Sequence, residues 1–458
     1  MGVISNKPVT VAPAILTEAG ETLSNGDLVS MVDNKLYELP QSLDTMTTVL
    51  NFTRHSSNSY VSSNVMQGGA KILTVYANSS GYPEARLYIT TDDGIQQVGT
   101  TFVINSAVAY FLNVFKLSEE YVLIYYTTGS NTSAIPYLCL LKITGNVISS
   151  VGTTPTCLST GVVGSVFELL SYDGVTWKVL LVGNGYDSSI PSYAQILSVT
   201  TSGITKGSLH SWGAYTSSLQ IAVLSENNFV LASTYGNTLY LRAYTVSDTT
   251  LTQGSITSIS VTSIGTRNLK SIDSNRCYYY YQNNTNSYKH RIVTVSGTAI
   301  TLGTEYAIDS GITPIDAGIV DIDKVLFVYG QSSVYYAKIL TIDGTVIDTT
   351  ATAITVPSAV IKYVKRYGNK YLYSSTGTYL VSISGTNIIA TLVANFGIGS
   401  YQSYTPYKYF SFTIDSTTAA NSKAILYVFT GLFEPTGYVI SDSRFVSNTV
   451  QKAAYMPF

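Results

Sequence analysis

Two segments decide the fold: Asp273-Ser-Asn-Arg-Cys-Tyr-Tyr-Tyr-Tyr281 and, about 20 residues further on, Thr294-Val-Ser-Gly-Thr298. In the first, a short polar turn leads into an unbroken run of strand-forming residues. In the second, an alternating strand ends in a hairpin turn. Both signals recur. The first has copies beginning at Gly68, Glu119, Asp173, Glu226, Asp273, Asp323, Gly368 and Asn421, and the second is centred on Ile89, Ile143, Val199, Val246, Val295, Ile342, Ile383 and Ile440. Each series has a period near 50 residues. Two markers in step over eight copies define a repeat, and a repeat determines the architecture before any single element does.

One unit, 108–157, reads as four strands at 108–117, 121–127, 137–143 and 147–153, the last following the Gly145-Asn146 turn. Gly, Asn and Asp at such turns supply the positive φ that tight hairpins require. Four antiparallel strands per period of about 40–50 residues predict the blade of a β-propeller. The unbroken apolar second strand is expected to be buried on both faces between blades. The expected fold is therefore all-β, with about eight blades, alternatively seven, and a short N-terminal β arm. Residues 1–50 fall outside the period, which leaves 51–458 for the propeller. Within the arm, Leu23–Leu39 reads as a hairpin around Asp33-Asn34, suited either to docking or to capping the ring. Leu28–Leu39 and Phe445–Val450 are the strand-like segments expected to complete a blade between the two ends of the chain.

Composition agrees with strands and excludes several functions. The chain holds 38 Tyr against 14 Phe, two Trp and five Met. β-Branched and aromatic side chains suit a pleated surface and lose rotamer freedom in helices. Only 11% of the 458 residues are charged, where about 25% is usual, and the net charge is −2. No field exists to gather a phosphate backbone or anionic lipid, so neither nucleic-acid binding nor membrane insertion is expected. No apolar run approaches the roughly 18 residues of a membrane helix. The opening Met1-Gly-Val-Ile-Ser-Asn-Lys-Pro8 has no basic segment followed by an apolar one, which predicts a chain made and kept in the cytosol. Cys139, Cys157 and Cys277 form no C-x-x-C pair and read as buried small hydrophobes.

Catalytic and metal motifs are weak. His55, His210 and His290 lie in different units, and no G-x-S-x-G elbow accompanies them. Asp321 with Asp323, and Asp92-Asp93-Gly94, could contact Ca²⁺, but each falls at a turn, where Asp bonds its own backbone. Acidic residues recur mostly at turns, so nothing marks the facing carboxylate pair of a glycosidase. No cofactor is expected.

The loops after the second strands are the informative ones, because a propeller gathers them on one face with the connections between blades. They offer Tyr82, Asn131, Tyr186, Tyr235, Asn237, Asn283, Tyr288, Gln331 and Phe433 as candidate ligand contacts. Tyr and Asn on rigid loops present flat apolar area with hydrogen-bonding tips at small entropic cost, which suits sugars and protein surfaces alike. The same residue types also serve simply as turn formers.

The units Val293-Thr-Val-Ser-Gly-Thr-Ala-Ile-Thr-Leu-Gly-Thr-Glu305 and Leu340-Thr-Ile-Asp-Gly-Thr-Val-Ile347 resemble repeats of tailed-bacteriophage virion proteins, especially tail-fibre and receptor-binding propellers, and Asn25–Tyr37 looks like their short N-terminal modules. The resemblance covers most of the chain in style and transfers no functional residue. It implies a non-enzymatic structural protein of the virion, assembled in the host cytoplasm and present in multiple copies per particle. It further implies contacts to other virion proteins through residues 1–50 and a propeller face that meets host-surface carbohydrate or another virion protein. The alternatives are an architectural ring or collar subunit without receptor binding, and a polysaccharide-degrading glycosidase built on a propeller. Ser171-Tyr-Asp-Gly-Val-Thr-Trp177 resembles the Asp-box of sialidase-type propellers but lacks one residue of that pattern and occurs once, so nothing is carried over from it.

Overall fold

The computed structural model describes residues 71–356, apart from 92–93, 130–132, 153, 155, 158–161, 186–190, 213–216, 264, 266, 285–286 and 308–310. Outside that span it describes the strands named below and residue 386. Eight sheets of antiparallel strands form the ring. The first seven blades occupy 61–103, 109–151, 162–206, 217–253, 267–302, 312–348 and 365–394, each with its four strands paired in sequence order. The eighth combines Tyr401–Tyr404, Lys408–Ile414 and Asn421–Thr430 with Asp44–Thr53 from the other end of the chain. Innermost strands of neighbouring blades touch: Val61–Met66 lies against both Ala109–Lys116 and Tyr401–Tyr404. The first and eighth blades are therefore neighbours, and the chain makes an eight-bladed β-propeller.

Double-sided burial holds the blades together. Along Arg276–Asn284, alternation sends Tyr278 and Tyr280 toward the sixth blade, where Tyr280 meets Phe327 edge-on at 5.6 Å. Tyr279 and Tyr281 point the other way and join Ala232 and Leu241 of the fourth blade. Each such ring removed from water contributes on the order of 1.5–3 kcal/mol. A strand covered on both faces must be apolar at every position, and this is the unbroken run read from the sequence.

In the third to sixth blades a short fifth strand follows the fourth: His210–Trp212, Thr257–Ser260, Tyr306–Ala307 and Ile354–Val356. Each pairs with the first half of its blade's third strand. The bend between the fourth and fifth strands brings a glycine close to the next blade. Cβ atoms built on Gly207 and Gly254 at such bends would lie 2.2 and 1.9 Å from the carbonyl oxygens of Thr249 and Thr298, and one built on Gly99, within the fourth strand of the first blade, 1.9 Å from that of Asn146, each oxygen in the third-to-fourth-strand hairpin of the following blade. At two junctions a cation reaches the same hairpin: Lys71 Nζ donates to the Gly145 carbonyl, and Arg276 Nη1 to that of Gly344 at 3.0 Å.

The ends of the chain depart from expectation. The strand that completes the ring is Asp44–Thr53, paired antiparallel with Asn421–Thr430 from Thr430↔Asp44 to Asn421↔Thr53. It is neither Leu28–Leu39 nor Phe445–Val450, and the latter lies outside the described residues. A boundary at residue 50 would cut this strand. Leu28–Val32 and Lys35–Glu38 do form a hairpin, through Val32↔Lys35, but they belong to a five-stranded closed barrel with Ile15–Ala19, Gly437–Ile440 and Lys452–Met456. The arm therefore draws on both ends of the chain. The eighth copies of both markers were each read one strand early: the run from Asn421 is a third strand, and Ile440 lies in the barrel. The count stayed at eight because the borrowed strand restores a fourth member to the last blade.

Replacing Gly254 by Ala forces its new methyl into a backbone carbonyl rather than a yielding side chain. The expected loss is about 1–3 kcal/mol of stability, seen as a lower denaturant midpoint at unchanged m-value. An unchanged midpoint would mean that this approach between blades is loose in solution.

Candidate functional site

Hairpins between second and third strands share one face with the connections that lead into the next blade, and backbone hydrogen bonds stitch the two together. Ala109 N–H donates to the Gly81 carbonyl at 2.8 Å, joining the first blade's hairpin to the second blade. Between the fourth and fifth blades, Val261 N–H donates to the Asn237 carbonyl at 3.0 Å and Thr262 N–H to that of Asn283 at 2.8 Å. The Thr262 hydroxyl donates to the same Asn283 oxygen at 2.9 Å. Loops tied in this way are preorganised, so little ordering cost remains when a ligand binds.

The nine candidate residues divide into three groups. Tyr82 is half-buried on a loop fixed by Asn78, whose Oδ1 accepts from the N–H groups of Ser80 and Tyr82 at 2.9 and 3.0 Å. Asn78 Nδ2 in turn donates to the buried Glu84 at 3.0 Å, which also accepts from Tyr76 and Arg86. Tyr235 is 49% exposed, Asn237 is exposed beside it, and Asn283 is half-buried across the junction. Gln331 is half-buried at the end of Lys324–Gln331. The structure thus places Asn237 and Asn283 at one blade junction, Tyr235 on the same hairpin as Asn237 but on the face turned toward the third blade, and Tyr82 and Gln331 in other blades.

Tyr288 is a correction. It is 6% exposed and packs with Tyr278 and Ile312 in the core between the fifth and sixth blades, so it offers no surface to a macromolecule. It already belongs to the third strand, Ser287–Ser296, paired with Gln282. Asn131, Tyr186 and Phe433 lie outside the described residues. The strand before Phe433 is a third strand, so Phe433 does not follow a second strand as expected.

One cluster escaped the sequence reading. Arg242 is only 5% exposed, and its guanidinium lies over the rings of Trp212 at 5.5 Å and Tyr240 at 5.3 Å. Nη1 donates to Ser233 Oγ at 2.7 Å, while Nε is buried with no hydrogen-bond partner. Among the described residues no carboxylate pairs with it, and desolvation pulls its pKa below the ordinary arginine value. Beside it, Gln253 Oε1 accepts from Tyr244 Oη at 2.8 Å and lies 3.1 Å from His210 Nε2. The only sequence signal was a lone Arg within an alternating strand, Thr238–Ser247, of a chain sparing with Arg.

The remaining reactive groups have structural surroundings. His290 is fully buried, with Nδ1 2.5 Å from Tyr278 Oη, and desolvation lowers its pKa to about 3. Burial raises the thiols of Cys139, Cys157 and Cys277, to about 11, 12 and 12. Asp321 accepts from the Ile322 N–H at 2.8 Å, Asp323 pairs with Lys324, and Asp173 accepts from the N–H groups of Val175 and Thr176, all as turn residues do. Asp92 and Asp93 lie outside the described residues. Among the described residues no group of three or more His, Cys, Asp or Glu side chains could hold a metal ion, and no helix is long and apolar enough to cross a membrane.

No family model and no curated protein sequence matches the chain. Solved structures do resemble it. The WD40 domain of SCAP from fission yeast is 9% identical, with a TM-score of 0.47 over 85% of this chain and 99% of that one. BamB from Moraxella catarrhalis is 10% identical, with a TM-score of 0.44 over 83% and 99%. Prolyl oligopeptidase B from Galerina marginata is 8% identical, with a TM-score of 0.43 over 78% of this chain and 55% of that longer one. Propellers serve unrelated activities, so these likenesses assign none.

His290 and Glu305 set the expected response to acid. The unfolded histidine takes up a proton as pH falls through its ordinary value of 6.5, whereas the folded one resists until about 3. Stability therefore falls across that window, by at most about 1.4 kcal/mol per pH unit. Glu305 is held down to about 2, against burial, by hydrogen bonds from Arg291, Tyr281 and Lys289; its stabilisation is present above the ordinary 4.5 and lost as pH falls through 2. In urea titrations, the difference between wild type and His290→Gln is expected to narrow from pH 6.5 to 4.5. A constant difference contradicts a neutral buried imidazole.

Proposed function

We propose that this protein is a non-enzymatic structural component of a tailed-phage particle, a tail- or head-fibre type of subunit. In this reading its hairpin face binds a host-surface glycan or another virion protein. The observation that carries the reading is the stitched hairpin of the fourth blade, where Tyr235 and Asn237 stand exposed and the Asn237 carbonyl is held by the N–H of Val261 in the connection to the fifth blade. A flat ring with amide groups beside it suits a sugar face and its hydroxyls. The low charge of the chain supports recognition by stacking and hydrogen bonding rather than by a long-range field. Single sites of this kind are weak, and several copies on one particle raise the overall strength without new contacts. The terminal barrel is the docking element in this reading, holding the propeller on the particle while its hairpin face stays free.

Mass spectrometry of purified virions is expected to detect the chain, and the soluble protein is expected to slow phage adsorption to host cells. Tyr235→Ala and Asn237→Ala should each weaken that competition about tenfold, equivalent to about 1.4 kcal/mol, at unchanged thermal stability. Absence of the chain from particles defeats the proposal. Presence in particles with no effect on adsorption leaves the architectural role in place of receptor binding.

A further inference from the structure

Strand alternation places more on the junction of the third and fourth blades than the exposed tyrosine. The register Tyr235↔Thr238, Ser233↔Tyr240, Leu231↔Arg242 and Phe229↔Tyr244 puts all eight residues on one face of the fourth blade. Leu231, Phe229 and Tyr244 pack there with Leu180, Val182 and Trp212 of the third blade, so this is the face turned toward that blade. Moving up the face from its apolar floor, the side chains change character: first Arg242 with Trp212 beside it, then Ser233 and the half-buried Tyr240, then the exposed Tyr235 at the hairpin.

A guanidinium in this position is costly. Only about one tenth of the chain is charged, and here a cation is nine-tenths buried with a single hydrogen bond to a hydroxyl. Two aromatic faces compensate in part, since a cation over a ring face is attracted by the ring quadrupole, the more so when desolvated. A carboxylate contributes more, because a charge-assisted pair is about twice as strong as a neutral hydrogen bond and relieves the unpaired donor as well.

We infer that the hairpin end of this junction binds an acidic sugar residue, of uronate or sialate type, with its carboxylate on the Arg242 guanidinium and its ring against Tyr240 and Tyr235. The inference rests on the glycan-binding reading above and narrows it to one class of sugar. Two features support an acidic ligand over a neutral one: the cation beneath the hairpin, and the absence of a carboxylate paired with Arg242 among the described residues. Tyr235 at the rim then contributes the stacking surface that any sugar ring uses.

Isothermal titration calorimetry of the full chain provides the test, with two pairs of probes. One pair is a glucuronate-containing tetrasaccharide and its carboxyl-reduced form; the other is sialyllactose and lactose. Saturable binding of at least one acidic member is expected, with tenfold or greater weakening for its neutral partner. Arg242→Gln should remove that preference, and Tyr235→Ala should weaken the acidic member about tenfold while leaving the preference intact. If Arg242→Gln does not fold, the probe pairs and Tyr235→Ala still decide. No binding of either acidic member by the native chain overturns the inference. Equal affinity within both pairs overturns it too, yet leaves the broader reading standing if Tyr235→Ala weakens all four sugars. If no sugar binds and the soluble protein fails to compete for host cells, both fall together.

Discussion

Every second strand must be covered on both faces, and the rest of the molecule follows from that requirement. A sheet whose middle is apolar above and below cannot end a stack without leaving one face in water, so the only arrangement that hides all such faces is a closed ring. The cost of an open ring is concentrated at its two end blades, each of which would lack on one side the opposing sheet that Tyr278–Tyr281 have on both sides in the fifth blade. The chain closes the ring by pairing Asp44–Thr53 with Asn421–Thr430. Blade count, curvature and the clustering of hairpins on one face are then geometrical consequences of packing successive sheets against one another.

The sequence exposed what this constraint acts on and hid what it does not. Unbroken apolar runs such as Tyr121–Thr128 were legible because double burial leaves no position for a polar side chain. In the last blade that signal misleads. Its second strand, Lys408–Ile414, alternates, while its third, Asn421–Thr430, is the continuous one, so the eighth copies were assigned a strand too early. The closing strand was hidden for another reason: Asp44–Thr53 pairs with a segment from the far end of the chain, and periodicity identifies strands without naming their partners.

The candidate surface follows the same division. Tyr235 and Asn237 sit in a tight hairpin whose residue types announce a turn, and both are exposed. Tyr288 failed by the length of one pleat: with the third strand starting at Ser287, its side chain turns into the core rather than out along the loop. Arg242 could not have been singled out, since its position is remarkable only because Trp212, from the preceding sheet, lies over it. A site assembled across two sheets has no linear motif. It becomes visible only when strand register and the neighbouring blade are both known.

The borrowed strand also governs when the molecule can become itself. Seven blades can assemble as the polypeptide leaves the ribosome, each against its predecessor, but the last awaits two segments far apart in the chain. Until Asn421–Thr430 has been made, Asp44–Thr53 has no mate, and two unsealed flanks face the solvent. Contacts between such distant segments slow folding because loop-closure entropy is lost before they are gained. Closure of the finished wheel is thus coupled to synthesis of Asn421–Thr430, and a chain cut short before that strand yields an open arc prone to stick to its siblings.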